Sequence, residues 1–170
     1  MRYTDIQKTP TGYVLRYSKA VKALMLAPCI IFLSFGCVLP FVAERDAFTM
    51  VMACLFGAYL AGTSAYLFCV AFGFRIVVDE TGVHRYSFGR VKLSLLWRYV
   101  RSFGIGVIPV PSRYGQMNHL AFYASTEAKP IDYKSKVFIK LTPADEQALR
   151  ESGIIVFCRR QMAEADRKFR

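Results

Sequence analysis

The residue types that most often perform chemistry in proteins are few and widely spaced in this 170-residue chain. The five cysteines include no Cys-x-x-Cys pair, and His84 and His119 stand 35 positions apart without a nearby acidic or thiol partner. A zinc site needs closely spaced ligand pairs. The sequence therefore predicts no metal and no cofactor, and cysteines that remain reduced.

Motifs for enzymatic catalysis are also missing. The chain has no Gly-x-Ser-x-Gly, no glycine-rich phosphate loop before a lysine and no His-Glu-x-x-His. The paired carboxylates Asp79–Glu80 and Asp145–Glu146 fall at a predicted turn and at a predicted helix start. We therefore predict that the protein is not an enzyme.

Composition combines two properties that seldom occur together in a soluble protein. Hydrophobic residues make up 54% of the chain, yet its net charge is +11. A basic disordered tail lacks such a content of aromatic and aliphatic residues. No groove-reading helix is visible, so nucleic acid is not an expected partner. The combination is typical of a membrane protein with a basic part in water.

Two uncharged segments are long enough to cross a membrane. They cover residues 23–43 and 47–74, which are 21 and 28 residues long. About 20 helical residues span the hydrocarbon core of a bilayer. A cleaved signal peptide does not fit the first segment, because a polar stretch of 22 residues precedes it. We predict a transmembrane helical hairpin over residues 23–74.

Lysine and arginine are distributed asymmetrically around these segments. The connecting turn has Arg45 alone, offset by two acidic residues, whereas basic residues precede the first segment and follow the second: Arg2, Lys8, Arg16, Lys19, Lys22, Arg75, Arg85, Arg90, Lys92, Arg98 and Arg101. Such residues stay on the cytoplasmic side. We expect a multi-pass protein of the bacterial inner membrane with both termini in the cytoplasm.

Small residues recur at every fourth position of the second segment: Ala53, Gly57, Ala61 and Ala65. Such a face lets another helix approach closely. The partner is either the first helix of the same hairpin, which is the more common case, or a second copy or another protein. A homo-oligomer through this helix is therefore one of the expected assemblies.

Residues 1–22 and 75–170 are predicted to lie in the cytoplasm. Tyr13 and Tyr17 flank a basic residue shortly before the first helix, a pattern typical of an interfacial anchor. Arg85, Arg90 and Lys92 lie on predicted hairpin strands and are candidate contacts for anionic lipid or for a protein partner.

After the second segment the pattern of apolar residues changes to the alternation of β-strands. Strands are predicted over residues 74–79, 83–87, 90–95, 101–108, 119–125 and 136–141, with a loop over 109–118 and a turn-rich link over 126–134. A helix follows, since Thr142 is an N-cap, Pro143 suits its first turn and Gly153 its end. Residues 154–157 are either a last strand or another helix, and residues 158–170 an exposed helix or a fraying tail.

The segments Ile76–Val83 and Leu95–Val100, the second containing Trp97, resemble the signature of bacterial PH-like domains, including the YcxB-like family. The resemblance covers both spans and residues 74–153. It implies a small, bent antiparallel sheet or barrel closed by a C-terminal helix, and no catalysis. Arg98-Tyr99-Val100 departs from the acidic and aliphatic pair that usually follows the tryptophan in that family.

Two functions follow from this sequence. One is a membrane-tethered scaffold or regulator whose PH-like domain binds a protein or an anionic lipid. The other is an immunity protein that neutralises a bacterial toxin, an interpretation that depends on the architecture alone. Gene context distinguishes the two functions, because an adjacent toxin gene favours immunity.

Overall fold

The computed structural model describes residues 2–42, 46–112, 115–128 and 136–168. The chain forms two compact units. The helical hairpin contains residues 19–73, and the sheet unit combines residues 1–18 with residues 74–170. The helical hairpin is thus an insertion within the sheet unit.

Five strands make the first antiparallel sheet, in the order β1-β2-β3-β4-β5: β1 (Thr4–Thr9), β2 (Gly12–Tyr17), β3 (Arg75–Asp79), β4 (Gly82–Ser87) and β5 (Arg90–Leu96). β2 pairs with β3 although the helical hairpin lies between them in sequence, with Leu15 opposite Ile76. The strands β1 and β2 are not predicted from the sequence. Residues 4–17 therefore form part of the sheet instead of a separate segment.

A second antiparallel sheet contains β6 (Ser102–Ser112), β7 (Gly115–Ser125) and β8 (Lys136–Lys140). The loop predicted over residues 109–118 is wrong, because both long strands run through it. Pro109 and Pro111 are tolerated since β6 is an edge strand, where a missing backbone N–H costs no hydrogen bond to a neighbour. Most of the link predicted over 126–134 lies outside the described residues.

A common hydrophobic core joins the two sheets and the C-terminal helices α3 (Pro143–Glu151) and α4 (Ile154–Lys168). It includes Ile76 and Val83 from the first sheet, Phe122 from the second and Leu149 from α3. The described strands form two separate sheets and are not closed into a barrel. Residues 154–157 begin α4, which resolves the alternative in favour of a helix.

Trp97 and Cys158 are buried in this core. Trp97 begins a short 3-10 helix (Trp97–Tyr99), and its indole N–H donates a hydrogen bond to the carbonyl of Asp79 at 2.8 Å. Burial raises the pKa of the Cys158 thiol to about 12. The thiol therefore stays protonated at neutral pH and is unreactive.

Asp145 connects α3 to the first strand. At the start of α3 it forms a capping box with Thr142, the N-cap that the sequence predicts. The same carboxylate, fully buried, also accepts hydrogen bonds from the amides of Tyr3 and Thr4, each at 3.0 Å to Oδ1. One carboxylate thus caps a helix and holds the beginning of the chain against it.

The helical hairpin consists of α1 (Lys19–Val42) and α2 (Ala47–Gly73). Both helices are long and apolar enough to cross a membrane. Of the predicted small-residue face, Gly57 is buried, Ala53 and Ala61 are half-buried and Ala65 is exposed. Gly57 lies against Gly36 of α1, so the close approach is within the same hairpin.

A second contact fixes the register of the two helices. The hydroxyl of Ser64 donates a hydrogen bond to the carbonyl of Cys29 at 2.7 Å, and both residues are buried. Cys29 is one residue after Pro28, inside α1.

Replacing Asp145 with alanine is expected to lower the free energy of unfolding by about 3 kcal/mol, because several buried amides lose a charged acceptor. Glu146→Ala is the matched control, since Glu146 pairs with the exposed Arg150, and it is expected to cost about 0.5 kcal/mol. Denaturation of the full chain in detergent, followed by the fluorescence of the single tryptophan, measures both. Equal losses in the two variants would contradict the role of Asp145.

Gly57→Ala is expected to push the helices apart, because the added Cβ would lie 2.6 Å from the carbonyl oxygen of Gly36. Gly62→Ala is the control. Apart from its two chain neighbours and the nearby backbone of its own helix, no described atom lies within 4 Å of its added Cβ. Spin labels on the exposed Cys37 and Cys54, with Cys69 replaced by alanine, report the interhelical distance by pulsed EPR. An unchanged distance in Gly57→Ala would refute the tight contact.

Candidate membrane-interface site

Tyr13 and Tyr17, the predicted interfacial anchors, lie in different surroundings. Tyr13 is only 6% exposed, and its hydroxyl donates a hydrogen bond to the carbonyl of Ser152 at 3.0 Å. It is a core residue, because Tyr13 and Leu15 lie two positions apart on the inner face of β2. Tyr17 is half-buried at the end of β2, where its ring stacks on Phe74 at 5.0 Å between centroids.

Arg85, Arg90 and Lys92 are close in sequence but do not form one cluster. Arg85 is half-buried opposite Ile76, and its guanidinium lies 5.7 Å from the centroid of the Phe74 ring. Arg90 and Lys92 are exposed on β5. A register shift after Arg85 places Lys92 outside the regular pairing, so it does not share the environment of Arg85.

One end of the five-stranded sheet is rich in aromatic residues. We call it the entry end, because the chain passes there from β2 into α1 and returns from α2 into β3. Aromatic or apolar side chains come from every strand or its adjoining turn at this end: Tyr3, Tyr17, Phe74, Tyr86, Phe88 and Val91. The sequence pattern does not reveal this set, because it does not reveal β1 and β2.

Cations accompany the aromatic rings of the entry end. The guanidinium of Arg75 lies 4.5 Å from the centroid of the Tyr86 ring, and Arg85 lies over Phe74. Arg16 and Arg90 are exposed at the same end. Aromatic rings combined with basic side chains are typical of the boundary between lipid and water.

Phe88 occupies the turn between β4 and β5 in an unusual conformation. Its φ of 54° is the only positive value among the non-glycine residues that the structure describes, and Gly89 follows with 73°. Two-residue turns of this kind favour Asn-Gly, since a bulky side chain is strained at positive φ. Phe88 is nevertheless 45% exposed. This strained, exposed aromatic residue at the tip of a hairpin is a candidate contact residue.

A polar cluster lies towards the opposite end of the same sheet. His84 Nδ1 is 2.7 Å from Ser94 Oγ, and His84 Nε2 is 2.9 Å from Thr81 Oγ1 and 3.3 Å from Asp79 Oδ1. The prediction that His84 lacks an acidic partner is wrong. The Asp79–Gly82 turn folds β4 back beside β3 and brings His84 to Asp79. The sequence predicts this hairpin, so the hairpin is enough to predict that the two residues are neighbours.

The hydrogen bonds of this cluster determine which of its atoms carry a proton. Thr81 donates its hydroxyl proton to Asp79 at 2.6 Å, so it can only accept from His84 Nε2. Neutral His84 is therefore protonated on Nε2, and Nδ1 accepts the proton of Ser94. The cluster links β3, β4 and β5.

Within the described ranges, no group of three histidine, cysteine or acidic side chains is placed to hold a metal ion. The chain matches no family model, no curated protein and no solved structure.

The stability of the sheet unit should depend on pH through Asp79. Partial burial raises the pKa of this carboxyl, but hydrogen bonds from Thr81, the nearby His84 and the amide of Gly82 outweigh burial and place the pKa below its usual 3.8. The stabilisation is present above the unfolded pKa and is lost as the pH falls through the lower folded value.

Asp79→Asn is therefore expected to make the free energy of unfolding less dependent on pH below about 4. Glu80→Gln, at the exposed neighbouring position, serves as the control and should keep the dependence of the original chain. Urea denaturation across an acid pH series measures both. Identical curves for Asp79→Asn and the original chain would contradict the assignment.

Proposed function

We propose that the protein is a non-enzymatic membrane protein of the bacterial inner membrane whose sheet unit binds the anionic surface of the same membrane from the cytoplasm. The helical hairpin anchors the chain, and the entry end of the sheet contacts the lipid headgroups. In this role the protein is a membrane-tethered scaffold or regulator. Membership of the YcxB-like family stays a prediction. The immunity function also stays a prediction, and gene context tests it.

Exposure of the helices supports the anchor. Only 11% of the most hydrophobic window of α1 and 17% of that of α2 is buried inside the protein. A core helix of a soluble protein would be mostly buried. Large apolar side chains such as Phe41, Phe48 and Tyr59 are instead more than two-thirds exposed, at 89%, 75% and 68%. Lipid is the solvent that suits this surface.

The pairing of β2 with β3 supports two crossings of the membrane. β2 precedes the hairpin and β3 follows it, yet both belong to one sheet. Strands that share hydrogen bonds lie on the same side of a membrane. The chain between them therefore crosses an even number of times, so α1 and α2 either both span or neither does. Lys19 and Lys22 in the first turn of α1 and Arg75 after α2 favour the cytoplasmic side.

The aromatic and basic residues of the entry end carry the proposal for lipid binding. The chain connects this end directly to α1 and α2, through Ser18 and Phe74. Tyrosine, phenylalanine and arginine there match the chemistry of the interfacial zone. Phe88 adds an apolar side chain on a turn that a less bulky residue would form with less strain.

A tryptophan introduced at position 88 tests this contact. In nanodiscs of phosphatidylglycerol, Phe88→Trp is expected to be quenched by lipids brominated on their acyl chains. Tyr99→Trp is the control, because Tyr99 is 54% exposed beyond the opposite end of β5. The native Trp97 is 3% exposed and supplies the background measured in the original chain.

Quenching of Phe88→Trp that only equals that of Tyr99→Trp would refute the contact. Equal quenching in phosphatidylglycerol and phosphatidylcholine would refute the preference for anionic lipid. Phe88→Asn complements the test, because asparagine tolerates positive φ better than phenylalanine. We expect this variant to gain about 1 kcal/mol of stability in detergent and to lose protection from hydrogen exchange at residues 85–92 in nanodiscs.

A further inference from the structure

Arg16 and Arg75 face each other across the pairing of β2 and β3. Both point away from the core, because their neighbours Leu15 and Ile76 are fully buried on the inner face. Directly opposite residues in an antiparallel pair have Cβ atoms about 4.5–5.5 Å apart, and like charges at opposite positions are destabilising. The register therefore brings two arginines to neighbouring positions at the entry end, at a cost in stability.

Neither arginine has a carboxylate oxygen within the 4.0 Å of an ion pair in the part of the chain that the structure describes. The carboxylate placed nearest by strand pairing is that of Asp5, opposite Arg16 on β1. Tyr86, directly opposite Arg75 on β4, instead packs its ring against the Arg75 guanidinium at 4.5 Å. The ring holds that group in place, which reduces the entropy that a ligand must overcome.

We propose that Arg16 and Arg75 together bind one phosphate group of an anionic lipid headgroup. A guanidinium is planar and donates parallel hydrogen bonds to two oxygens of a phosphate. Two guanidinium groups match a phosphate that presents oxygens to both, and the anion removes the repulsion between them. The inference rests on the proposed membrane contact, which brings headgroups to this end of the sheet.

The position of the pair favours a lipid as the source of the phosphate. Arg16 is three residues before α1, and Arg75 is two residues after α2. Headgroup phosphates lie where transmembrane helices leave the hydrocarbon core, and each basic residue near that surface contributes about 1 kcal/mol of attraction. Binding by this pair differs from general electrostatic attraction, because the pair has a defined geometry and the binding requires arginine.

The test is native mass spectrometry of the full chain in detergent, titrated with phosphatidylglycerol. We expect Arg16→Gln and Arg75→Gln each to weaken binding of the first lipid about tenfold. Arg98→Gln removes the same charge from an exposed site beyond the opposite end of β5 and should leave binding unchanged. Arg75→Lys keeps the charge but lacks the planar guanidinium with its parallel N–H donors. It should weaken binding almost as much as Arg75→Gln.

Equal effects of Arg98→Gln and Arg75→Gln would overturn the site in favour of general charge, as would full binding by Arg75→Lys. Displacement of the lipid by inorganic phosphate at equal concentration would overturn the lipid source. Thermal unfolding gives a second measurement, since phosphatidylglycerol should raise the midpoint of the original chain more than that of the double Arg16→Gln, Arg75→Gln variant. Quenching of the Phe88→Trp variant that persists while these measurements fail would refute the site and leave the membrane contact standing.

Discussion

Hydrogen bonds between β2 and β3 join two parts of the chain that the helical hairpin separates, and the sheet unit depends on them. Closing a loop costs entropy that rises slowly with its length. Two antiparallel helices of 24 and 27 residues reduce that cost, because they return the chain near its starting point. The start of β1, the strand on the other side of β2, is held by hydrogen bonds that Asp145 accepts. The entry end, and with it the aromatic rings and Arg16 beside Arg75, exists because β2 and β3 are neighbours.

Local signals in the sequence are sufficient for much of the fold. The absence of charge locates α1 and α2, alternation locates β3 to β5, and Thr142 with Asp145 locates the start of α3. The strands β1 and β2 escape detection because their partners are distant in sequence or their residues are polar, as in Thr4–Thr9. The loop predicted from Pro109 onward is wrong for a related reason. Only the sheet order shows that β6 is an edge strand, where proline is tolerated.

The candidate site is predictable in its chemistry and only partly in its residues. Basic and aromatic side chains near the helices are expected, and Tyr17 and Arg90 do lie at the entry end. Tyr13 belongs to the core because the alternation of β2 directs it inward, and Arg75 gains its partner Arg16 only through the register of β2 and β3. Sequence spacing cannot supply a register between strands that the whole helical hairpin separates.

The insertion of the helical hairpin between paired strands also sets the order of events during biosynthesis. β1 and β2 leave the ribosome first, and a two-stranded hairpin is marginally stable by itself in water. In the proposed topology these strands must wait until α1 and α2 have entered the bilayer and β3 has emerged on the same side. A chain in which only one helix has inserted leaves its strands in different compartments and cannot complete the sheet. A folded sheet unit therefore excludes a chain with a single inserted helix.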